Sequence, residues 1–222
     1  MHDGGRFIVL EGIDGVGKST QVALLGAWLE ALGLAHVVTR EPGGTPVGEA
    51  IREIVLARPD LDMPAESELM LILAARAAFV RDVVRPALDG GMMVVADRFS
   101  LSTLAYQGYG RGLDLARVRQ CLDFATGGLE PDLCLVLDLP LDESRERQRR
   151  HGGEADRIER EGGGFRRAVR DGYLALAECE RRTEVVDARG AAEVVHERIR
   201  ARLAARFPGT FPGGSTESKR VG

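Results

Sequence analysis

A glycine-rich decapeptide near the start of the chain carries the residue types that bind phosphate groups. Residues 11–20 are EGIDGVGKST, which contains the pattern Gly12-x-x-x-x-Gly17-Lys18-Ser19. Glycines let successive backbone N–H groups turn towards an anion, the lysine neutralises the β- and γ-phosphates, and the serine hydroxyl is a Mg²⁺ ligand. An apolar run, RFIVL, precedes the loop and an amphipathic segment follows it, as this mechanism requires. The pattern predicts a site for ATP and Mg²⁺.

We assign ATP binding to the whole phosphate loop, which comprises Gly12, Ile13, Asp14, Gly15, Val16, Gly17, Lys18, Ser19 and Thr20. A carboxylate that ends a neighbouring apolar strand is the expected second group directed at the metal. Asp97 ends the run MMVVAD, so Ser19 and Asp97 form the predicted metal site. A GTPase would need an Asn-Lys-x-Asp motif to read guanine, and neither of the two lysines, Lys18 and Lys219, lies in one.

Arginines follow the phosphate loop at the ends of predicted loops and strands. They are Arg40, Arg52, Arg76, Arg98, Arg145, Arg147, Arg149, Arg150 and Arg157. Bringing ATP against a second phosphate group places like charges within a few ångströms, and one unit pair at 4 Å costs about 4 kcal/mol at an effective dielectric of 20. A hydrolase that uses water needs fewer cations, so the arginines favour an anionic acceptor.

The elements that must position these residues alternate between strand and helix. Apolar runs predict strands over residues 6–11, 34–39, 92–97, 133–139 and 183–188. Helical periodicity predicts helices over residues 18–32, 47–57, 115–126, 165–182 and 191–205. A long helix is predicted from residue 65 until Pro86 bends or ends it. Two further helices are predicted, one that ends at about residue 108 and one that begins at residue 141. Right-handed crossovers between such strands give an α/β fold, a P-loop three-layer αβα sandwich with a five-stranded parallel sheet surrounded by helices.

The sequence also predicts where the chain is mobile. The very polar segment RERQRRHGGEADRIEREGGG has glycines at both ends of its acidic part, which is typical of a mobile lid over about residues 146–163. Residues 1–207 are predicted to form one domain built on the phosphate loop, and the proline-, glycine- and serine-rich residues 208–222 a disordered tail.

Composition limits the partners. The net charge is -4 and the pI is about 5.7, so no global basic field for a nucleic-acid polymer is expected. No apolar span of 18 residues suggests a membrane helix, and no secretory signal is recognisable, which predicts a cytoplasmic protein. The three cysteines are widely spaced, as expected for reduced thiols in or near the core.

Four segments together resemble the thymidylate kinase family. They are FIVLEGIDGVGKST, TREPGGTPVGEAIREIVL, DRFSLSTLAYQGYGRGL and DRIEREGGGFRRAVRDGYLALA, and they occur in the family's order from about Phe7 to Val195. The resemblance implies an enzyme that phosphorylates dTMP to dTDP with MgATP, for dTTP biosynthesis. It also implies a homodimer.

The resemblance implies roles for individual residues. The implied catalytic residues are Lys18, Asp97, Arg98, Arg149 and Arg150. The implied acceptor-binding residues are Asp14, Glu41, Arg52, Ile72, Arg76, Arg98, Thr103 and Gln107. Of these, Asp14 is expected to accept a hydrogen bond from a 3′-hydroxyl, Glu41 to lie in the loop that closes over the acceptor, and Arg52 and Arg98 to hold its phosphate. Those expected to read the thymine ring and its edge are Arg76, Thr103 and Gln107.

Two positions depart from the family pattern. Members usually have an aromatic residue four positions before the thymine-reading arginine, where this chain has Ile72. Stacking is worth roughly 1–3 kcal/mol per base, so we expect weaker binding of the acceptor. Some members have a basic residue directly after the loop aspartate, where this chain has Gly15. The cation at the transferring phosphoryl group is therefore expected from the lid, from Arg149, Arg150 or Arg157.

Two alternatives remain at this point. The first is a kinase of the same fold that uses another nucleoside monophosphate, which Ile72 keeps open. The second is a P-loop module that binds nucleotide to control assembly, although such a module has no use for the segment DRFSLSTLAYQGYG.

Overall fold

A five-stranded parallel sheet forms the centre of the molecule. The computed structural model describes residues 5–152, 156–158 and 160–211. The strands are β1 (Phe7–Glu11), β2 (His36–Arg40), β3 (Met93–Asp97), β4 (Leu133–Asp138) and β5 (Thr183–Asp187). Their order in the sheet is β2-β3-β1-β4-β5, and every neighbouring pair is parallel. The predicted five-stranded parallel sheet is confirmed.

Helices connect the strands and flank the sheet. They are α1 (Lys18–Ala31), α2 (Pro46–Ala57), α3 (Ala65–Phe79), α4 (Arg85–Asp89), α5 (Ser100–Thr103), α6 (Leu115–Thr126), α7 (Leu141–His151), α8 (Gly163–Cys179) and α9 (Ala192–Arg206). Two π-helical segments, Val80–Val84 and Leu104–Gly110, continue α3 and α5. This is the predicted α/β architecture.

The core follows from the sheet order. All residues of β1 are buried, and so are those of β3 and β4 apart from the last residue of each strand. Helices cover both faces of the central strands, which explains why these strands are continuous apolar runs without polar alternation. The edge strands β2 and β5 are only partly buried.

Several boundaries differ from the predicted ones. The long helix predicted from residue 65 changes to a π-helical segment at Val80, and Pro86 lies in the first turn of α4, where a helix needs no N–H donor. Helix α8 ends at Cys179, before residue 182, because the chain must extend into β5 from Thr183. Cys179 is exposed, which corrects its expected place in or near the core.

The described chain continues past residue 207, where the predicted tail begins. Phe211 is fully buried and stacks on Trp28 with ring centroids 5.0 Å apart. The aromatic ring orders a segment whose proline and glycine content alone suggests disorder. The remainder of the predicted tail, residues 212–222, lies outside the described residues.

The sheet brings the loops of interest together. In a parallel sheet the carboxyl ends of neighbouring strands open at the same edge, and ligands bind there. The phosphate loop follows β1, Glu41 follows β2 and Arg98 follows β3. Since β1, β2 and β3 are consecutive in the sheet order, these groups must face one cleft.

Candidate active site

The phosphate loop is folded around the side chain of Lys18. The ammonium group of Lys18 donates to the carbonyl oxygens of Gly12 at 3.1 Å and Ile13 at 3.0 Å. Burial and the nearby Arg98 lower the pKa of Lys18, while Asp97 and Asp14 oppose that shift. The ammonium group thus lies inside the phosphate loop, where its predicted role in phosphate binding requires it.

Gly15 lies where the loop meets the first turn of α7. Its φ of 83° is in the left-handed region, and a Cβ there would come within 2.4 Å of the Ser144 carbonyl oxygen. The Ser144 hydroxyl also donates to the Asp14 carbonyl oxygen at 2.7 Å. This contact leaves no room for a side chain at position 15, which agrees with the expectation that the extra cation comes from elsewhere.

The predicted metal ligands are brought together. The Ser19 hydroxyl donates to Asp97 Oδ2 at 2.8 Å, although 78 positions separate the two residues. A hydroxyl and a carboxylate oxygen are ligands that suit Mg²⁺. Within the described ranges, no group of three or more histidine, cysteine, aspartate or glutamate side chains could enclose a metal ion. An ion at Ser19 and Asp97 would complete its shell with phosphate oxygens and water, as Mg²⁺ commonly does.

The guanidinium group of Arg98 joins the phosphate loop to the helices opposite. It donates to the Gly12 carbonyl oxygen at 3.0 Å, to the hydroxyls of Tyr173 at 3.0 Å and Tyr106 at 3.1 Å, and to Asp14. Arg98 also has a φ of 78°, the one positive φ of a non-glycine residue in the described chain. Such a conformation persists when surrounding contacts hold the residue in place, and it is frequent at functional sites.

Asp14 is ionised in this arrangement. Burial alone would raise the pKa of its carboxyl group, but Arg98 and Lys18 lower it to about 2. Tyr106 donates to its second oxygen at 3.0 Å. Both carboxylate oxygens therefore already have donors in this structure.

Arg76 also lines the cleft and is held by two side chains. Its Nε donates to Glu41 Oε2 at 2.7 Å and its Nη1 to the Thr103 hydroxyl at 2.6 Å. The guanidinium group also packs 5.3 Å from the Phe99 ring centroid. No described residue accepts from Nη2, so this nitrogen has hydrogens left for a ligand.

Glu41 is buried, and only one of its two carboxylate oxygens has a hydrogen-bond donor among the described residues. Its Oε1 has no hydrogen-bond donor among the described residues. Burial raises the pKa of its carboxyl group from the ordinary 4.5 to about 7, in spite of the opposing effect of Arg76. The segment before α2 thus places a carboxyl group that titrates near neutral pH against the arginine predicted to read the base.

Gln107 and Ile72 complete this part of the cleft. The Gln107 amide nitrogen donates to Glu68 Oε1 at 2.8 Å. Ile72 lies one helical turn before Arg76 on α3 and lines the cleft beside it. Arg52 also lines the cleft and donates to the Pro42 carbonyl oxygen at 3.0 Å.

The cleft is large and carries positive charge. Its volume is about 1390 Å³, whereas pockets for one small ligand commonly measure about 300–1,000 Å³. The lining includes ten lysine or arginine residues and six aspartate or glutamate residues. Because the whole chain has a net charge of -4, this excess of cations is a local property of the cleft. The site has the space and the charge for two phosphorylated ligands.

Comparison with known proteins identifies the family. A family model described as thymidylate kinase matches residues 10–199. The thymidylate kinase of Pelotomaculum thermopropionicum is 52% identical over 193 residues, which are 86% of this chain and 89% of that protein. The chain belongs to the thymidylate kinase family. The thymidylate kinase of Chromohalobacter salexigens is 49% identical over 199 residues, or 89% of this chain and 94% of that protein.

A solved structure of the family has the same fold. The crystal structure of thymidylate kinase from Ehrlichia chaffeensis matches with a TM-score of 0.73 and 29% sequence identity. The match covers 90% of this chain and 99% of that chain. In the part of this chain that the structure describes, no helix has the length and apolar character needed to span a membrane.

The arginines of the predicted lid differ in their position relative to the cleft. Arg149 and Arg150 are on α7, line the cleft, and both pair with Glu146, at 2.7 Å and 3.0 Å. Their side chains are each 74% exposed. Arg157 instead donates to the Val55 carbonyl oxygen at 2.8 Å and pairs with Glu68. The structure therefore brings Arg149 and Arg150, but not Arg157, to the cleft.

Sequence analysis missed buried polar residues that support the site. Glu11 is fully buried at the end of β1 and accepts from the Phe99 N–H at 2.7 Å, the Ser102 N–H at 3.1 Å and the Tyr173 hydroxyl at 2.8 Å. Burial raises its pKa even though Arg98 lies near. A carboxylate that ends an apolar strand was the available signal for Glu11. Tyr173 carries no such signal, because it reads as an ordinary core residue of a helix.

The pKa of Glu41 predicts how stability depends on pH. Below pH 4.5 the carboxyl group is protonated in both the folded and the unfolded chain, and between 4.5 and about 7 only the folded protein keeps the proton. The wild type should therefore lose up to about 3 kcal/mol of stability relative to Glu41→Gln as pH rises over this range. Urea unfolding of both proteins at pH 5 and pH 8 measures the difference, and a difference that is equal at the two pH values would contradict the assignment.

Proposed function

We propose that this chain transfers the γ-phosphoryl group of ATP to dTMP and releases dTDP and ADP, a step in dTTP biosynthesis. The single observation that carries the proposal is that one cationic cleft is lined both by the phosphate loop and by a second group of polar and charged side chains around Arg76. Lys18 and Arg76 both line that cleft. Membership of the thymidylate kinase family supports dTMP as the acceptor.

The residues at the donor end bind and orient ATP. The loop N–H groups and the start of α1 attract the phosphates, and Lys18 exchanges its two loop carbonyl contacts for phosphate oxygens. Ser19 and Asp97 would hold Mg²⁺, which when bound neutralises charge on the β- and γ-phosphates. The fit of these two oxygen groups supports the metal site.

The residues at the acceptor end place the attacking oxygen. Arg98 and Arg52 hold the phosphate of dTMP, and Glu41, Arg76, Thr103 and Gln107 surround the base. We assign to Asp14 a contact with the 3′-hydroxyl, which adds a donor to a carboxylate that Arg98 already neutralises. A phosphate monoester is ionised near neutral pH because its second pKa is about 6, so its oxygen attacks phosphorus without a general base. As that bond forms, the bond to the ADP oxygen breaks.

We further propose that Arg149 and Arg150 act from a lid over about residues 146–163 of a single domain that spans residues 1–207. Closure would carry both guanidinium groups from the rim towards the transferring phosphoryl group and exclude water. Glu146 pairs with both arginines and holds them at the rim in this structure. Residues 153–155 and 159 of this segment lie outside the described residues.

A homodimer is also proposed. Apolar side chains are exposed on three helices that pack side by side, α2, α3 and α6. They include Phe124, which is 92% exposed, Met70 and Val47. We propose that a second copy of the chain covers these side chains. Sedimentation that gives the mass of a monomer at micromolar concentration would contradict the dimer.

The cytoplasmic location stays a prediction.

The first prediction concerns dependence on the acceptor. ADP release should be fast with dTMP and slow without any monophosphate, because water cannot use the base-reading and phosphate-binding residues of the acceptor end. A coupled assay with dTMP, dUMP, dCMP, dGMP and dAMP measures this. Equal rates with and without an acceptor would refute a kinase and favour an assembly module, and preference for another monophosphate would favour the alternative kinase.

The second prediction concerns the lid. Arg150→Ala should lower kcat by about tenfold or more and change KM for dTMP little, because the cation acts in the transition state. Arg58→Ala is the matched control, since this exposed arginine pairs with Asp60 and does not line the cleft. An unchanged kcat in both Arg150→Ala and Arg149→Ala would remove these roles.

The third prediction concerns Ile72. Ile72→Phe should lower KM for dTMP by at least about fivefold, since an aromatic ring can stack on the base. Ile72→Val keeps an aliphatic side chain and should change KM little. If Ile72→Phe leaves or raises KM while the folded protein keeps its stability, the position does not contact the base.

A further inference from the structure

A buried carboxylate, Glu68, lies between the acceptor pocket and the lid. Its side chain on α3 is fully buried and receives four hydrogen bonds. Oε1 accepts from Gln107 Nε2 at 2.8 Å and from Arg111 Nε at 3.2 Å. Oε2 accepts from Arg111 Nη2 at 3.0 Å and from Arg157. Every one of these partners acts as a donor.

Glu68 is ionised in this environment. Burial raises the pKa of its carboxyl group, but the hydrogen bonds from Arg111, Arg157 and Gln107 lower it below the ordinary value. An ionised carboxylate can only accept hydrogen bonds. It therefore forces Gln107 to turn its amide nitrogen, and not its amide oxygen, towards Glu68.

The contact with Glu68 determines which hydrogen-bonding atoms of Gln107 remain available to a ligand in the cleft. With its nitrogen held by Glu68, Gln107 has its side-chain oxygen left as an acceptor, and no described residue donates to that oxygen. Arg76 Nη2 remains as a donor, since Glu41 and Thr103 take the other two nitrogens. Both side chains line the cleft. Among the groups of the pocket, Arg76 thus supplies a donor and Gln107 an acceptor for a base edge.

This pair distinguishes the two kinds of pyrimidine. Thymine and uracil present a carbonyl oxygen at position 4 and an N–H at position 3, which match a donor and an acceptor respectively. Cytosine presents an amino group and an unprotonated ring nitrogen at these positions, so both contacts would be mismatched. A buried polar group that is left unpaired by the wrong base strongly disfavours that base.

We propose that Glu68 is a positioning residue that selects thymine-type over cytosine-type acceptors by fixing the orientation of the Gln107 amide. The inference rests on the proposed function, because it concerns the base of the same acceptor. Glu68 itself does not line the cleft and acts only through Gln107.

The test uses Glu68→Gln, which keeps the size of the side chain. Arg111 and Arg157 should hold the oxygen of the new amide, so its nitrogen faces Gln107 and turns the Gln107 oxygen away from the cleft. The ratio of kcat/KM for dTMP to that for dCMP should fall at least about tenfold, mainly through KM for dTMP. Arg157→Gln is the matched control. It removes a contact to Glu68 without touching Gln107, so the ratio should stay within about twofold even if turnover falls.

A double-mutant cycle separates this role from a purely structural one. In a Gln107→Leu protein there is no amide to orient, so adding Glu68→Gln should not change the ratio further. Glu68→Asp supplies a second variant if Glu68→Gln does not fold. It keeps the negative charge but withdraws both carboxylate oxygens by one methylene, so the hydrogen bond from Gln107 is lengthened and the ratio should again fall.

The outcomes distinguish this inference from the proposed function. A wild-type protein that does not use dTMP would overturn both. If the wild type prefers dTMP to dCMP, but the folded Glu68 variants keep the same ratio, the inference alone is wrong. The inference is also wrong if Arg157→Gln lowers the ratio as much as Glu68→Gln does, because the effect would then belong to the lid.

Discussion

The pairing of the Arg98 guanidinium group with the ionised Asp14 is the interaction on which the site depends. A largely buried cation is stabilised by the anions and hydrogen-bond acceptors that surround it, and removal of one partner leaves a costly unpaired charge. Arg98 therefore ties the phosphate loop, through Asp14 and Gly12, to the two tyrosines on the opposite elements. The left-handed backbone at Arg98 is the geometric cost of directing this side chain back across the end of the sheet.

The same pairing balances the charge of the cleft near the phosphate loop. A phosphate that binds Arg98 must compete with Asp14, whose pKa of about 2 keeps it charged at any physiological pH. The other cations of the lining compensate, since they outnumber the acidic groups of the cleft. A single phosphate would gain little from this exchange, whereas two phosphorylated ligands can share the whole set of cations. The charge distribution of the cleft thus agrees with a transferase better than with a hydrolase.

The predictability of the site divides along physical lines. Roles that depend on a short sequence pattern could be predicted. The loop pattern predicted the roles of Lys18 and Ser19, and the apolar strand before Asp97 predicted that its carboxylate lies beside the phosphate loop. Family motifs indicated Arg76, Thr103 and Gln107, and the structure brings these three into one cleft. Glu68 was not predictable, because its partners are 39 to 89 positions away and a glutamate near the start of a helix is common. The fold could also be predicted from local patterns, since buried parallel strands are uninterrupted apolar runs. The change to a π-helical segment at Val80 could not be predicted, because the local sequence does not indicate it.

Described residues on both sides of Arg149 and Arg150 are held by contacts, and these contacts limit how the two arginines can move. At one end the Ser144 hydroxyl holds α7 to the phosphate loop at 2.7 Å. At the other end the Arg157 N–H donates to the Leu56 carbonyl oxygen at 3.0 Å, and the Arg157 side chain reaches Glu68. Arg149 and Arg150 lie between these anchors. Any movement that brings them to the phosphates must therefore pivot α7 about the phosphate loop, because Ser144 holds its first turn there. Glu68, which orients Gln107, is also the carboxylate that holds Arg157. The two contacts use different oxygens of that carboxylate, so Gln107 keeps its orientation when the Arg157 contact is lost.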